Sequence, residues 1–205
     1  MADFDIKPAS GTGNSLRLKN EAGNIVLSTN NGTGVSSWGT VAPKGTILQV
    51  KQVFKDDAWE HEGTTAMQDV TDMTLDITPK ATTNKILVTL SLFLGCETGN
   101  LGTVKLVRTI GGSATTLGKT TISGNGGTNE AIVSFGGNDW ANSSVNRQTQ
   151  GETVNYLDSP STTSATTYKI QIASGADTCK VLLNRWDLNT DKSGTSSITL
   201  MEVAE

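Results

Sequence analysis

The stretch Asn84-Lys-Ile-Leu-Val-Thr-Leu-Ser-Leu-Phe-Leu-Gly95 carries the most sustained apolar pattern in the chain. Successive side chains of an extended chain point to opposite faces. Ile86, Val88, Leu90, Leu92 and Leu94 therefore share one side, and Leu87, Thr89, Ser91 and Phe93 the other. A helix is the competing reading. The Thr-rich approach, the β-branched and aromatic residues inside the run and Gly95 at its end favour a strand. Upstream, Met73, Leu75 and Ile77 alternate with Asp72, Thr74, Asp76 and Thr78 as far as Pro79, the pattern of a half-buried antiparallel strand. Joined through Pro79-Lys-Ala-Thr-Thr83, the two segments are expected to form a hairpin at the centre of a sheet.

The same reading places strands over 46–54, 59–62, 103–110, 130–135, 152–157, 167–173, 178–183 and 196–203. In the first of these, Leu48, Val50 and Phe54 share a face. Segment 178–183 is expected to pair with 167–173 across Ser174-Gly-Ala-Asp177. Many short strands at regular spacing suit a two-sheet sandwich. No repeat period points to a solenoid or propeller, and helical periodicity is nearly absent. The expected fold is all-β: an antiparallel β-sandwich, jelly-roll-like, over residues 46–205.

Residues 1–45 read differently. Asp3-Phe-Asp-Ile-Lys-Pro8 alternates briefly and stops at proline. Ser15-Leu-Arg-Leu-Lys19 and Asn24-Ile-Val-Leu-Ser28 are short apolar runs around Asn20-Glu-Ala-Gly23, a turn signal. Thr29-Asn-Asn-Gly-Thr-Gly34 then reads as a connector. The pattern predicts a short N-terminal β-hairpin arm, and isolated two-stranded hairpins are marginal in water. Such an arm docks on something: its own domain, a partner subunit or a larger surface. Its candidate docking residues are Phe4, Ile6, Leu16, Leu18, Ile25 and Leu27.

Composition narrows the function. Charged residues make up 18% of the 205, the net charge is −4, and Lys and Arg are scattered singly. No basic field is present for nucleic acid. The 22 glycines, with abundant Thr, Ser and Asn, suit short strands joined by turns. No apolar run approaches the roughly 20 residues of a membrane helix. Met1-Ala-Asp-Phe-Asp5 lacks the basic start and apolar core of a signal peptide. A soluble protein, made and used without secretion, is expected, with neither nucleic-acid nor membrane partner. Cys96 and Cys179 are far apart and form no CxxC pair, so metal spacing is absent. Two reduced thiols are the plainer reading, a disulfide the alternative.

Candidate chemistry is sparse. His61 is the single histidine; on a strand it would point away from Glu60 and Glu62, which makes no three-ligand site. Asp187-Leu-Asn-Thr-Asp191 begins like a calcium loop, but Lys192 stands where glycine is wanted and Ile198 where a bidentate Glu belongs. An Asx-rich turn is the simpler assignment. Gly11-Thr-Gly13 and Gly124-Asn-Gly-Gly127 lack the helix that a phosphate cradle requires. Asp56-Asp57 and Asp72/Asp76 read as solvated carboxylates. Among Trp38, Trp59, Trp140 and Trp186, only Trp140, in Gly137-Asn-Asp-Trp140, sits in a loop suited to sugar stacking; core or interface packing is the commoner use. No catalytic residue, cofactor site or metal site emerges, and a non-enzymatic protein is expected.

Five phrases in order, Gly45-Thr-Ile-Leu-Gln-Val50, Met73-Thr-Leu-Asp-Ile-Thr-Pro79, Asn84-Lys-Ile-Leu-Val88, Ser159-Pro-Ser-Thr-Thr-Ser-Ala-Thr-Thr-Tyr-Lys169 and Ser197-Ile-Thr-Leu-Met-Glu-Val203, carry a resemblance. Together they resemble a virion-protein module of tailed bacteriophages, especially phages of marine and cyanobacterial hosts. The likeness spans residues 45–205 and consists of strand and loop phrases, with no catalytic signature. It implies homotrimers of β-sandwich domains, placed either as head-decoration proteins or at tail-fibre tips. A tail fibre needs a long shaft between its virion anchor and its receptor-binding head, and about 45 residues precede the sandwich, room for a docking arm and no shaft. The expectation is therefore a capsid decoration or cement protein of the virion, assembled in the host cytoplasm, whose arm grips the major capsid protein. The alternative is a tail appendage or fibre tip that touches a host receptor or glycan through outer loops, with Trp140, Asn142 and Thr163 as contacts. A free carbohydrate-binding or hydrolytic module is a third class, weakened by the lack of a recognisable carboxylate pair.

Overall fold

The strand built on the central apolar run, β7 (Lys85–Glu97), holds the larger sheet of the computed structural model together. The structure describes residues 17–19, 21–23, 25–29, 36–38, 42–62, 65–97, 101–119, 131–136, 147–175, 180–185 and 194–205. Among the described residues there is no helix, and the fold is an all-β antiparallel sandwich.

Ile86, Val88, Leu90, Leu92, Leu94 and Cys96 of β7 are all buried, as the alternation predicts. β11 (Arg147–Asp158) runs along one edge of β7. Along the other edge lie first β14 (Ser196–Val203) and then β13 (Lys180–Leu183). β4 (Ile47–Lys55) extends the sheet beyond β14, and β5 (Trp59–Glu62) extends it beyond β13. The second sheet runs β6 (Gln68–Ile77), β12 (Thr166–Ser174), β8 (Leu101–Ile110), β10 (Val133–Gly136), with β9 (Ser113–Leu117) folded back on β8. Eight strands thus form the orders β4-β14-β7-β11 and β6-β12-β8-β10. Nearly every connection passes from one sheet to the other, which is the jelly-roll arrangement.

That topology corrects two expected pairings. β6 and β7 are not a hairpin: they lie in opposite sheets, and residues 78–84 carry the chain around the sandwich edge. Likewise, β13 pairs with β5 and β7, while β12 pairs with β6 and β8. Alternation reports which face of a strand is buried but not which strand lies beside it.

The core lies between the inner faces. Val70, Met73 and Ile77 of β6, Val104 and Leu106 of β8, Phe135 of β10 and Tyr168, Ile170 and Ile172 of β12 pack against β7, with Ile198 and Leu200 of β14 and Val181 and Leu183 of β13. Each fully buried Leu or Ile contributes about 1.5–3 kcal/mol relative to exposure. Val70 and Met73 are both buried although strict alternation would put them on opposite faces. A register shift opposite Lys169–Gln171, where residues 70–73 face residue 170 alone and Asp72 takes φ 61°, adds three residues to β6, an odd number that turns both inward. The shared face of Leu48, Val50 and Phe54 on β4 points away from this core: Val50 and Phe54 are exposed, while Val53 packs inward.

The expected N-terminal hairpin is present and larger than expected. β1 (Arg17–Lys19) pairs antiparallel with β2 (Ile25–Thr29), and β3 (Ser36–Trp38) adds a third strand on the far side of β2. Ser36-Ser-Trp38 is too short and polar to announce itself as a strand.

Candidate functional site

Three buried polar clusters fix the sandwich, and two of them gather the phrases of the resemblance. Glu202, on the inner face of β14, is buried in the sheet that it helps to close. Its Oε1 accepts hydrogen bonds from the Lys80 amide and from Asn84 Nδ2, both at 2.6 Å. Its Oε2 accepts one from Gln49 Nε2 at 2.5 Å, and the same amide group also donates to the Thr78 carbonyl at 2.8 Å. A carboxylate with four lone-pair sites thereby takes two donors from the 78–84 corner and one from β4. Gln49, Thr78, Asn84 and Glu202 come from four of the five phrases.

The fifth phrase serves the second cluster. Asp158 closes β11 and is buried; Arg108 and Tyr168 are register partners on β8 and β12 in the opposite sheet. Arg108 Nη1 donates to Asp158 Oδ1 at 2.7 Å and Oδ2 at 2.9 Å, and Tyr168 Oη donates to Oδ2 at 2.6 Å. Burial, then the hydrogen bond to Asp158, push the Tyr168 phenol far above its usual range. The cluster bolts one sheet to the other and holds its proton on the phenol.

The third cluster centres on Asn184, buried at φ 62° just after β13. Its Nδ2 donates to the carbonyls of Lys55 at 2.9 Å and Asp57 at 3.0 Å, and its Oδ1 accepts from Ser196 Oγ at 2.6 Å. Ser196 Oγ in turn accepts from the Phe93 amide at 3.0 Å. The β4–β5 turn, β7 and the start of β14 meet there. Beside it, Lys55 Nζ pairs with Asp57 at 2.7 Å, which holds the Asp57 carboxyl below its ordinary range. Each cluster ties together strands that are remote in the sequence.

On the edge strand β5, Trp59 and His61 are half-buried and stacked, ring centroids 6.0 Å apart at 25°. Glu60 and Glu62 point outward, as expected, toward Arg185 at 3.4 Å and Lys180 at 3.0 Å. Among the described residues no group of three His, Cys, Asp or Glu is placed to hold a metal ion. The calcium-like stretch 187–191 lies outside the described residues, as do Cys179 and Trp186.

Of the docking candidates, Leu18 is exposed on β1. The register places Leu18 opposite Leu27, and Leu27 opposite Trp38, in one row across the small sheet. Ile25 also lies on β2, while Phe4, Ile6 and Leu16 lie outside the described residues. Trp140 and Asn142 lie outside them too; Thr163 is exposed in the loop between β11 and β12. The chain matches no protein-family model and no curated protein. Function must therefore be argued from the architecture and from the phrases that build it.

Proposed function

We propose that this protein is a non-enzymatic structural protein of a tailed-phage virion, a capsid decoration or cement protein that docks through its N-terminal arm and stabilises the shell. The observation that carries the reading is a division of labour among the described strands. A jelly-roll body closes its own core with buried polar bolts, whereas β1, β2 and β3 pair only with one another and leave Leu18 exposed. A small sheet with so little apolar surface gains most of its stability by covering that surface with something else. The partner in this reading is the major capsid protein. Homotrimers, implied by the resemblance, would present three arms at once, so that weak individual contacts add through effective concentration.

The test is copy number and rebinding. A cement protein is present in many copies per purified particle, rebinds shells stripped of it and restores their resistance to heat. A protein scarce in particles that instead binds host cells and blocks infection is a tail appendage or fibre tip, and the cement reading is then wrong.

A further inference from the structure

The large exposed apolar side chains are concentrated on one surface. Ile47 (54% exposed), Val50 (57%), Phe54 (60%) and Leu157 (51%) all lie on the outer face of the β4-β14-β7-β11 sheet. The register aligns Val50, Met201, Leu87 and Leu157 in a single apolar row across all four strands. The next row is polar but internally satisfied: Gln52 donates to Thr199 and Thr89 donates to Asn155, each at 2.8 Å. Groups already paired within the sheet lose little when water is removed from them. The flanking row of Phe54, Ser197, Ser91 and Thr153 is again uncharged. Charge lies at its margins: Lys85, at the rim beside Val203, has its ammonium 3.6 Å from Glu205, and at the far end the register sets Glu97 opposite Arg147.

The opposite outer face differs. There Asp69, Asp76, Lys105 and Lys169 stand on β6, β8 and β12, with Lys169 paired to Asp69 at 2.7 Å. One side of the sandwich is built for water, and the other for contact.

We propose that the uncharged centre of this outer face, the Val50–Met201–Leu87–Leu157 row and the two rows beside it, is buried against the same face of a second copy of this chain. A copy is the partner this chemistry fits. The three central rows carry no charge to be complemented by a foreign surface, and against themselves they bring no like charges together. Its area is also adequate. Four strands about 4.8 Å apart and about eight residues long at 3.3 Å each give a footprint of about 500 Å² per copy, close to the lower limit of a specific interface when two faces meet. The edge of β4 that pairs with no described strand is a poorer contact. Lys51 stands opposite Leu200 on the inner side of that edge strand, the kind of charge that discourages edge-to-edge pairing. The face itself remains the surface for association.

This surface rests on the docking reading above and names where two copies meet. A same-face contact is two-fold and presents two arms in place of the three implied by the resemblance, and the two readings can fail separately. The experiment is sedimentation velocity or light scattering on the full chain from about 1 to about 300 μM, a range that brackets micromolar association. The wild type is expected at a whole multiple of 21.5 kDa, dissociating on dilution. Val50→Asp/Leu157→Asp is expected at the mass of one chain, with its dissociation constant raised about a hundred-fold or more and its circular dichroism unchanged. Thr74→Asp, on the opposite face, should behave as wild type. Should the double variant fail to fold, Leu157→Lys alone repeats the test at an exposed position. A wild type that stays at one-chain mass throughout, or a multimer indifferent to these substitutions, overturns the proposal. A single-chain protein that still rebinds shells removes the face and leaves the docking reading, whereas a multimer that ignores shells does the reverse.

Discussion

Asn84 Nδ2 and Glu202 Oε1 lie 2.6 Å apart across 118 residues of sequence. The bond joins the corner that leads into β7 to the last strand of the chain, and it explains why a carboxylate stands on the buried side of Ile198-Thr-Leu-Met-Glu-Val203. A jelly roll must turn its chain around the sandwich edge without leaving backbone amides unpaired; here Glu202 takes the Lys80 amide, and the Asn84 amide donates to the Ala81 carbonyl.

Removal of Glu202 is accordingly a severe change. Glu202→Ala leaves the Lys80 amide and the Asn84 side-chain amide without their acceptor and takes from the Gln49 side-chain amide one of its two. At about 1–3 kcal/mol for each buried group left unsatisfied, a loss of about 3–5 kcal/mol is expected, less where water enters. Urea unfolding measures it. Glu202→Gln keeps the shape but turns one acceptor into a donor, so it should fall between wild type and alanine. An alanine variant within about 0.5 kcal/mol of wild type would contradict the role assigned to this corner.

The Asp158–Tyr168 bond predicts a pH response. Folding raises the phenol's pKa, so the stabilisation is fully present below the unfolded value, near 10. Above it the unfolded chain releases a proton that the folded chain retains, and stability falls as pH rises. Absorbance at 295 nm on raising the pH should show the Tyr168 transition only together with loss of near-ultraviolet circular dichroism. Tyr168→Phe should abolish that transition and cost about 1–3 kcal/mol at neutral pH by removing one partner of Asp158. Ionisation of Tyr168 in a folded protein at ordinary alkaline pH would show the bond to be weak.

Gly102 and Phe135 make a tighter test of packing. They are register partners on β8 and β10, and a Cβ at residue 102 would run directly into the Phe135 ring. Gly102→Ala should destabilise by about 1–3 kcal/mol through overpacking, and Phe135→Leu should recover part of that loss in the double variant. Strict additivity of the two changes would mean that the ring does not rest on the glycine.

The strand inventory was largely legible because alternation is a local signal. β4, β5, β7, β8, β12 and β14 fall where the hydrophobic pattern puts them. Ser113-Ala-Thr-Thr-Leu117 carries too few apolar residues to betray β9, and Arg147–Gly151, the start of β11, is polar because it covers only the far end of β7. Partners were less legible. The β6–β7 hairpin looked natural because the two segments are close in sequence, yet Glu202 and Gln49, remote in the chain, hold the corner between them open. The clusters around Glu202, Asp158 and Asn184 had no signature of their own, since an isolated Asp or Asn in a strand pattern reads as a surface residue. A buried-side parity check on Glu202, which alternates with Leu200 and Ile198, was the one available clue.

Leu18 offers the most direct test of the arm. It is exposed on β1, so Leu18→Asp should leave the unfolding free energy of the sandwich within about 0.5 kcal/mol of wild type. In the docking reading the same change places a charge in a contact that must be dehydrated. A tenfold loss per arm corresponds to about 1.4 kcal/mol. Linked arms compound such losses, so the drop in affinity for stripped shells should approach about a hundred-fold for two arms and about a thousand-fold for three, far more than one contact gives. Titration of shells with labelled protein measures it. The body alone, residues 46–205, should bind no better than the variant. If it binds as well as the full chain, the grip lies on the sandwich and the small sheet has another purpose.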